Sequence, residues 1–574
     1  MVCNYAPRVL ASERYCSCSC TSHPNMRHML STLQKFRERA VIPVKLMSLV
    51  CSSRHYFDSS NIRSSKVNLY AREAVVSERP DLETISTPPD SVSESFGTRI
   101  FYDDCVWNAL EIAEAVGGEI VRWGPSGTIS TDTRKLLPGQ WFFAISGENF
   151  DGHDFVNEAL ARERGCVGVI GNRVCQNWGN GFIKVEGHSN TALEKMAKFA
   201  RDRFRGVVVG LTGSAGKTTT RIMVSLSLRS LGHIYQTRGN LNNGIGVALT
   251  LIGTPLDAKV AVLELGMSME GEILKLARMS RPFVRVILNV GHSHLENLHD
   301  LEGVAKAKGE LLREMDSGDL CVLNADDPFV MSIPIPLGAR KVLFGRGVGC
   351  DVRLVLAERV DGGRAIRVIL ESNMPMPGSQ FDVSTKRTSE MVEFKIHGPG
   401  LHLAMNACAA AAVAVALGVP LPQAAVSLSR FRPAPMRSQL IFTESGITVL
   451  NDSHNASLPS MISAIDSLKS MECRGRRACI LGDMLELGAD EERIHEMVLN
   501  LCSDPSIELI MLVGERFLRA AERLKIVDKV DAVLAEDPDS LAPTVNEFLA
   551  PGDVVLVKGS RKMEMEKVVS AIVE

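Results

Sequence analysis

The chain has 574 residues, of which 45% are hydrophobic and 23% are charged. This composition is ordinary for a globular protein, and the length suits about three domains. The formal net charge of −3 gives no whole-protein field that would attract nucleic acid or anionic lipid, so we expect no nucleic-acid partner. Of the 14 cysteines, five lie in the first sixty residues, and the other nine are scattered without paired spacing, which favours a reduced compartment.

The first sixty residues have the composition of an organelle transit peptide. They carry eight Lys or Arg against three Asp or Glu, with many serines, and they contain no secretory hydrophobic region. Residues 61–98 continue as a polar linker that contains Ser and Pro. We therefore predict that residues 1–98 are a targeting segment and a linker. A merely disordered tail is the alternative.

From residue 101 onward the pattern is that of folded α/β domains. Residues 106–121 have helical apolar spacing that ends at Gly117 and Gly118, inside a compact module that runs to residue 204. After Val207, apolar strands alternate with helical segments, which predicts a parallel sheet covered by helices on both faces. The string FRPAPM interrupts this series, and a second alternating series predicts a third α/β domain.

Nine apolar segments are the predicted strands of these two series. They are 207–212, 259–266, 284–291, 320–327 and 341–345, followed by 447–454, 478–484, 509–515 and 553–560. The most apolar stretch of the chain, residues 407–419, is too short and too rich in alanine to span a membrane. We expect a buried helix there and no membrane span.

The most informative motif is GLTGSAGKTTT at residues 210–220, between an apolar strand and a helical segment. Its glycines let the backbone approach an anion at the start of a helix, which predicts a phosphate-binding loop. Lys217 would supply a charge for the outer phosphates, and the Thr218 hydroxyl would reach Mg²⁺. A strict Walker motif needs glycine where this chain has Leu211. The predicted nucleotide-binding residues are Gly213, Ser214, Ala215, Gly216, Lys217, Thr218 and Thr219.

Three polar residues follow the strands beside this loop. Glu264 ends an apolar strand, His294 follows the next strand, and Lys308 lies on the helix after that. Ligands of open α/β sheets bind at the carboxyl ends of strands, so a carboxylate and an imidazole here indicate a second Mg²⁺ site. An ammonium cannot ligate a cation, which makes the lysine unusual. Singly, the three residues could be a helix cap, a loop histidine and a solvated lysine.

Residues 101–574 resemble the Mur ligase family of ATP-dependent, amide-forming enzymes. They are most similar to the members that join UDP-N-acetylmuramoyl-tripeptide to D-alanyl-D-alanine in peptidoglycan precursor synthesis. Besides the phosphate loop, the resemblance rests on STDTRKLLPGQWFFAISGENFDGHDF (130–155), GNLNNGIGVALTL (239–251), VLELGMSMEGEI (262–273), HLENLHDLEGVAKAKGEL (294–311), LNADD (323–327), LGDMLELG (481–488) and VLVKGSRKMEME (555–566).

The resemblance implies three α/β domains. Residues 99–204 would be a smaller UDP-sugar-binding domain, and residues 205–432 a central ATP-binding P-loop domain with a doubly wound, mostly parallel sheet. Residues 433–574 would be a Rossmann-like domain that binds the amine substrate. The implied cofactors are ATP and Mg²⁺, and the implied partners are the UDP-muramoyl peptide and D-alanyl-D-alanine. We expect a monomer.

The resemblance also assigns the metal and catalytic roles. Thr218 would hold the first Mg²⁺, and Glu264, His294 and Lys308 would hold the second. In the family the residue that matches Lys308 is carbamylated by CO₂, which converts a cation into a carboxylate-like ligand, whereas Lys306 would stay unmodified. The predicted catalytic residues are therefore Lys217, Glu264, His294 and Lys308.

The remaining assignments concern the nucleotide and the peptide. Asn406 would recognise adenine, Arg437 would reach the phosphates from the third domain, and Asp452 would bind ribose. The predicted substrate-binding residues are Thr133 and Arg134 in the UDP-sugar region, and Asn242 and Asn243 in the central domain.

The chain departs from the family pattern at two places. It has Leu403 where the family has asparagine after the histidine, and NDSHNASL replaces DDSYNANP, so that His454 stands in place of a tyrosine. A Mur ligase that adds the third peptide residue is an alternative, but the type that adds diaminopimelate would carry an Asp-Asn-Pro-Arg string, which is absent from the sequence. A folylpolyglutamate synthetase would lack the N-terminal module. A catalytically silent relative that serves as a scaffold stays open as an alternative.

The leader and the resemblance together favour the stroma of a plastid (chloroplast). A peptidoglycan ligase with a transit peptide is expected where a photosynthetic eukaryote keeps wall-precursor synthesis. A mitochondrial or cytoplasmic location is the alternative.

Overall fold

The computed structural model describes residues 104–147, 150–175, 177–374, 389–526 and 531–574. The predicted targeting segment and linker lie outside these residues. The described residues form three mostly parallel sheets of five, nine and six strands. No helix within these ranges is long and apolar enough to cross a membrane.

The N-terminal module contains five strands and three helices. They are β1 (Glu119–Arg122), β2 (Ile129–Ser130), β3 (Trp141–Phe143), β4 (Gly168–Gly171), β5 (Gly181–Lys184), α1 (Ala109–Val116), α2 (Glu158–Arg162) and α3 (Ser189–Arg203). The strand order is β1-β5-β4-β3-β2, and only the β1–β5 pair is antiparallel. The module is therefore a small α/β sheet.

Helix α1 shows how sequence signals set the limits of an element. Asn108 accepts a hydrogen bond from the Glu111 backbone N–H at 2.9 Å, and the Glu111 carboxylate accepts one from the Asn108 N–H at 3.1 Å. This reciprocal capping box starts the helix. Gly117 ends it with a left-handed φ of 65°, as helix C-termini favour. The helix predicted within 106–121 is therefore confirmed, with β1 beginning two residues after Gly117.

The described residues of the central domain form nine strands and eight helices. The strands are β6 (Val207–Thr212), β7 (Ile234–Gln236), β8 (Val260–Glu264), β9 (Val284–Ile287), β10 (Leu320–Asn324), β11 (Arg340–Gly345), β12 (Val352–Val360), β13 (Ala365–Ser372) and β14 (Glu390–His397). The helices are α4 (Lys217–Ser227), α5 (Gly244–Gly253), α6 (Glu272–Ser280), α7 (Leu295–Leu298), α8 (Leu301–Gly309), α9 (Pro328–Met331), α10 (His402–Ala416) and α11 (Leu421–Leu428).

The central sheet is doubly wound, as predicted. Its strand order is β14-β13-β12-β11-β10-β9-β6-β8-β7, and the strands from β7 to β12 are parallel. Adjacent residues of β6 point to opposite faces, so Val208 packs in one hydrophobic core and Val209 in the other. The predicted buried helix is α10, whose alanines pack against α4, β11 and β12. The sequence did not predict β12, nor the antiparallel strands β13 and β14 that extend the sheet beyond it.

The third domain contains six strands and six helices. They are β15 (Gln439–Phe442), β16 (Thr448–Asn451), β17 (Arg477–Gly482), β18 (Leu509–Val513), β19 (Asp531–Ala535), β20 (Val554–Lys558), α12 (Leu458–Ser470), α13 (Glu491–Cys502), α14 (Glu515–Leu524), α15 (Pro538–Leu541), α16 (Val545–Phe548) and α17 (Glu566–Val573). The order is β15-β16-β20-β17-β18-β19, with β15 alone antiparallel to its neighbour.

The architecture confirms the predicted fold class of three α/β domains. All nine predicted strand segments contain a strand, and single-turn 3₁₀ helices connect some of the elements, at Gly152–Phe155, Arg229–Leu231, Glu310–Leu312, Asp361–Gly363, Gly488–Asp490 and Arg561–Met563. The residue numbers of the domain boundaries stay predictions. The carboxyl ends of β6 and β8 meet at one edge of the central sheet, and this edge carries the site described next.

Candidate active site

A cavity of about 720 Å³ lies between the central and third domains. It brings together residues that are far apart in the chain and that come from both domains. The predicted site residues that line it are Ser214, Ala215, Gly216, Lys217, Thr218, Thr219, Asn242, Asn243, Glu264, His294, Asn406, Arg437 and Asp452. Gly213, Lys308, Thr133 and Arg134 do not line it.

The phosphate loop joins β6 to α4 and is fixed by hydrogen bonds to Asn289. The Ser214 N–H donates to the Asn289 carbonyl at 3.1 Å, and the Ala215 N–H donates to Asn289 Oδ1 at 2.8 Å. These two amides are therefore occupied, whereas the first-turn amides of α4 have no intrahelical acceptor and face the cavity end of the helix. Gly216 has a left-handed φ of 79°. A Cβ atom there would lie 2.7 Å from Asn406 Oδ1, so only glycine fits.

Lys217 is the first residue of α4, and its ammonium group donates to the Gly213 carbonyl oxygen at 2.7 Å. Burial lowers its pKa, the positive charge of Arg437 lowers it further, and Glu264 opposes both. The lysine therefore lies among charges of both signs that converge from two domains.

Glu264, the last residue of β8, is only 1% exposed and is held by three side chains of the central domain. Its carboxylate accepts hydrogen bonds from Thr218 Oγ1 and from Asn242 Nδ2, each at 2.8 Å. Arg221 Nε lies 3.7 Å from Glu264 Oε2. Such partners offset the cost of removing a carboxylate from water. Glu264, Thr218 and Asn242 thus form one hydrogen-bonded cluster, as expected if they act at the same site.

Sequence reasoning missed Arg221, which lies one helical turn after Lys217. Its side chain is buried, and neither Nε nor Nη1 has a hydrogen-bond partner among the described residues. Burial lowers its pKa to about 10, which still leaves the guanidinium charged at neutral pH. The spacing of four residues from Lys217 was the available signal, since residues four apart share one face of a helix.

His294 lies on the loop after β9, with a left-handed φ of 56°. Its Nδ1 atom is 2.8 Å from Glu486 Oε2 of the third domain. Burial lowers the pKa of His294, and the nearby Lys217 and Lys308 lower it further. The imidazole is therefore neutral at neutral pH, the form that ligates metals. Sequence reasoning matched the string that contains Glu486 but assigned no role to it.

Lys308 and Lys306 lie on the same helix, α8, in opposite environments. Lys306 is exposed and pairs with Glu270 at 2.8 Å. Lys308 is only 2% exposed, and its side-chain amine makes no hydrogen bond or ion pair with any described residue. Burial lowers its pKa well below the ordinary value, and the charge of Lys217 adds to this effect. The sequence prediction that these two lysines differ in role agrees with this difference in environment.

The third domain contributes an aspartate and a lysine that form an ion pair. Asp452 Oδ1 accepts a hydrogen bond from the Ser438 N–H at 2.8 Å, and its other oxygen pairs with the buried Lys558. Lys558 Nζ also donates to the Asn455 carbonyl at 2.8 Å. Lys558 was missed, although a lysine at the end of an apolar strand, β20, was a usable signal. Both Asp452 oxygens are thus bonded within its own domain, and the predicted contact with ribose stays a prediction.

Arg437 lies on the segment that links the central and third domains. The residues on either side, Met436 and Ser438, have left-handed φ angles of 63° and 50°, which are uncommon for residues other than glycine. Arg437 Nη2 lies 3.3 Å from His454 Nε2. Burial and the charges of Arg437 and Arg561 lower the pKa of His454 to about 4, so this imidazole is neutral. The replacement of tyrosine by His454 therefore falls on the cavity wall, beside Arg437.

The other predicted residues lie either at the cavity or in the N-terminal module. Asn406 is buried on α10, and its Nδ2 atom has no hydrogen-bond partner among the described residues. Asn243 caps α5 by accepting the Gly246 N–H at 2.9 Å. In the N-terminal module, Arg134 is 85% exposed and pairs with Asp132, and Thr133 precedes it on the same loop. The structure does not bring Thr133 and Arg134 to the cavity, and their role stays a prediction.

The residues present fit a nucleotide and Mg²⁺. In the part of the chain that the structure describes, no group of three or more His, Cys, Asp or Glu side chains could hold a metal alone. Mg²⁺ bound with nucleotides uses few protein ligands and completes its shell with phosphate oxygens and water, which matches Thr218, Glu264 and His294. The Asn406 amide lines the cavity and has no hydrogen-bond partner among the described residues, so it is a group that a nucleotide can satisfy.

Comparison with protein families gives two matches that cover most of the central and third domains. The Mur ligase middle domain matches residues 211–414, and the Mur ligase glutamate ligase domain matches residues 436–561. The first match begins within the phosphate loop motif, and the second contains Arg437, Asp452 and Lys558.

Individual proteins match over more of the chain. The UDP-N-acetylmuramoyl-tripeptide–D-alanyl-D-alanine ligase of Bacillus subtilis is 34% identical over 450 residues, which is 78% of this chain and 93% of that protein. The ligase of the same name from Synechocystis is 28% identical over 490 residues, covering 83% and 97%.

Solved structures give the same result. MurF from Acinetobacter baumannii has a TM-score of 0.69 at 28% identity, covering 82% of this chain and 99% of that one. MurF ligase from Thermotoga maritima, in complex with ADP, has a TM-score of 0.62 at 25% identity, covering 78% and 96%. The domain matches, the extent of the Bacillus subtilis alignment and the fold together show that the chain belongs to the Mur ligase family.

Proposed function

We propose that this chain is an ATP-dependent ligase that joins UDP-N-acetylmuramoyl-tripeptide to D-alanyl-D-alanine in peptidoglycan precursor synthesis. The observation that carries this proposal is the convergence of the phosphate loop, the buried Glu264 cluster and Arg437 of the third domain on one cavity. The substrates are those of the relatives named above.

The reaction needs activation, because a carboxylate and an amine form a salt at neutral pH rather than an amide. The γ-phosphoryl group of ATP is transferred to an oxygen of the peptide carboxylate, and ADP leaves. The amine nitrogen of D-alanyl-D-alanine attacks the acyl carbon and loses a proton, the bond from this carbon to the phosphorylated oxygen breaks, and phosphate leaves. The products are the amide, ADP and phosphate.

The central domain binds the phosphates in this proposal. Lys217 and the first-turn amides of α4 face the same end of the cavity and would hold the outer phosphates. Arg221 adds a buried positive charge beside Glu264. These fixed charges offset the repulsion between the anionic reactants, and preorganised donors of this kind account for about 3–4 kcal/mol each.

Thr218, Glu264 and His294 would hold Mg²⁺, together with Lys308 after carbamylation. Bound Mg²⁺ supplies Lewis-acid stabilisation of the phosphoryl group during transfer. In the carbamylation step, the neutral Lys308 nitrogen attacks CO₂, an N–C bond forms and a proton is released. Support for this modification comes from the burial of Lys308, its lack of a partner and its lowered pKa, which together favour a neutral amine.

The third domain would orient the amine substrate and close the site. Holding the two reactants in a productive geometry is worth about 7–11 kcal/mol. Arg437 and His454 line the third-domain side of the cavity, so this domain can also exclude water from the activated carboxylate.

The test is phosphate release by the purified full-length chain with ATP, Mg²⁺, UDP-N-acetylmuramoyl-tripeptide and D-alanyl-D-alanine, with each component omitted in turn. Release that requires both peptide substrates, with the pentapeptide product identified by mass, supports the proposal. No release beside an active bacterial ligase would reject it. In that case, a nucleotide-binding titration separates another amine substrate from a silent scaffold, because a silent relative need not bind ATP.

We also propose that the chain acts as a monomer in the plastid stroma. The support for the plastid is the basic, serine-rich and acid-poor composition of the first sixty residues. A fluorescent fusion of residues 1–98 tests this location, and a purely cytosolic signal would reject it. Sedimentation equilibrium of the purified chain measures the oligomeric state.

A further inference from the structure

The string LGDMLELG at residues 481–488 matches the family, but none of the roles above uses it. It forms the end of β17 and the loop that follows. The loop brings Glu486 of the third domain to His294 of the central domain, although the two residues are 192 positions apart. The bond between their side chains crosses from one domain to the other beside the cavity.

This hydrogen bond uses only one nitrogen of the imidazole. Nδ1 lies 2.8 Å from Glu486 Oε2, whereas Nε2 makes no hydrogen bond with any described residue and His294 lines the cavity. A carboxylate only accepts hydrogen bonds, and a neutral imidazole has a single N–H. The bond to Glu486 therefore places the proton on Nδ1 and leaves the lone pair of Nε2 free for a cation.

The loop that carries Glu486 is held firmly by its own domain. The Met484 N–H donates to the buried His495 Nε2 at 3.0 Å, and the Leu485 N–H donates to Ser560 Oγ at 2.9 Å. Glu486 itself has a left-handed φ of 64°, and its partner His294 has one of 56°. Such conformations persist where the surroundings enforce them, and they cluster at functional sites.

The two domains also touch beside this bond. Gly488 lies against the backbone of Leu295 and Glu296, so that a Cβ atom on Gly488 would be 3.3 Å from the Glu296 backbone. The Glu486–His294 pair is partly open to solvent, with the Glu486 side chain 49% exposed and the His294 side chain 26% exposed. A partly exposed pair of this kind adds little to stability, so its position calls for another explanation.

We propose that Glu486 is a positioning residue that fixes the tautomer and the orientation of His294, so that Nε2 is presented to the cavity only while the third domain is docked. The metal-binding part of this inference rests on the proposed function. The docked third domain thereby completes the central-domain metal site through His294, in addition to supplying Arg437.

The first experiment measures the tautomer and needs no substrate. Two-bond ¹H–¹⁵N correlation spectra of the full-length chain with ¹⁵N-labelled histidine are recorded at pH 8, and His294 is assigned by the signal lost in His294→Gln. We expect the Nδ1–H form in the wild type and a shift toward the Nε2–H form in Glu486→Ala. Glu492→Ala is the matched control, since Glu492 is an acid of the same domain that pairs with Arg523.

The second experiment follows phosphate release as a function of Mg²⁺ concentration. We expect the half-maximal Mg²⁺ concentration to rise about tenfold or more in Glu486→Ala, as is typical when the partner of a metal-ligating histidine is lost. Glu486→Gln keeps an acceptor oxygen and should restore most of the wild-type dependence, and the melting temperature should not change in either variant.

An unchanged Nδ1–H tautomer in Glu486→Ala, or an unchanged Mg²⁺ dependence, would overturn the inference. A wild-type chain that releases no phosphate would instead reject the proposed function. The two failures are distinguishable because the tautomer is measured without ATP, Mg²⁺ or peptide.

Discussion

The two walls of the cavity differ in how their charged groups are paired. On the central-domain wall, the Glu264 carboxylate accepts hydrogen bonds from Thr218 and Asn242, whereas Lys217 donates to a backbone carbonyl and makes no ion pair with a described acid. On the third-domain wall, Asp452 is paired with Lys558 within the same domain. Lys217 on the central wall is therefore left for the negative charge of a ligand, whereas Asp452 on the third wall already has a counter-charge in its own domain.

This difference indicates a division of labour. A wall with unneutralised cations and unpartnered donors is suited to a polyanion such as the triphosphate of ATP, because the ligand supplies the missing charge. A wall that pairs its own charges can fold and move without the ligand, as a domain that closes over a substrate must. Changes to the central wall should therefore affect catalysis, and changes to the third-domain pair should affect stability.

Lys217→Met should have the largest effect of the changes considered. It removes the charge that starts α4 without changing the hydrophobic core, so we expect phosphate release to fall about 10²–10³-fold while the fold is kept. Steady-state kinetics and circular dichroism measure the two quantities. Lys306→Met is the matched control and should stay within about twofold, because Lys306 is a solvent-exposed lysine whose surface ion pair contributes little.

Lys558→Met tests the ion pair on the third-domain wall of the cavity. It leaves the Asp452 carboxylate partly buried without a counter-charge, and we expect a loss of about 3 kcal/mol in the free energy of unfolding of the third domain. Urea denaturation measures this loss, and adding Asp452→Asn should recover part of it. Lys562→Met, an exposed change in the same domain, is the control. A loss as small as that of the control would mean that the third wall is not stabilised by this pair.

Much of the fold was predictable because its strands are long apolar runs. The β6 and β8 segments are buried on both faces, so every residue before the last one is apolar or glycine. The hairpin of β12 and β13 was missed, since one face is partly exposed and charged residues interrupt the apolar pattern. The β6 and β8 strands can be predicted from their own apolar composition. The β12 and β13 strands depend on pairing with a neighbouring strand, which the composition of one strand alone does not show.

The site shows the same limit. Residues of the phosphate loop and of the strand ends were predictable because their position in an element determines where they lie. Glu486 and Lys558 were assigned no role, because each acts through a partner more than one hundred residues away, a relation that no local pattern encodes. The predicted UDP-sugar contacts Thr133 and Arg134 stay predictions.

Lys308→Ala returns to the central wall with a smaller expected effect on the rate, about 100-fold. If Lys308 acts as a carbamate, its loss removes an anionic ligand, and added acetate should restore part of the activity by occupying the space left. Phosphate release with and without acetate measures this, with Lys306→Ala as the control. No rescue, together with a wild-type rate that does not depend on CO₂, would argue against the carbamate.

Lys308→Met should have the smallest effect of these changes. We expect it to raise the stability of the fold, whereas Lys558→Met should lower it. Burial lowers the pKa of Lys308, so between that pKa and the ordinary value of 10.5 the unfolded chain binds one more proton at this residue than the folded chain. The stability of the wild type therefore rises with pH through this window, and the methionine variant lacks this contribution. In CO₂-depleted buffer we expect Lys308→Met to melt higher than the wild type at pH 7, by roughly 2 °C or more, and the difference to shrink toward pH 10. A pH-independent difference would mean that the cost of burying this lysine does not lie in its charge.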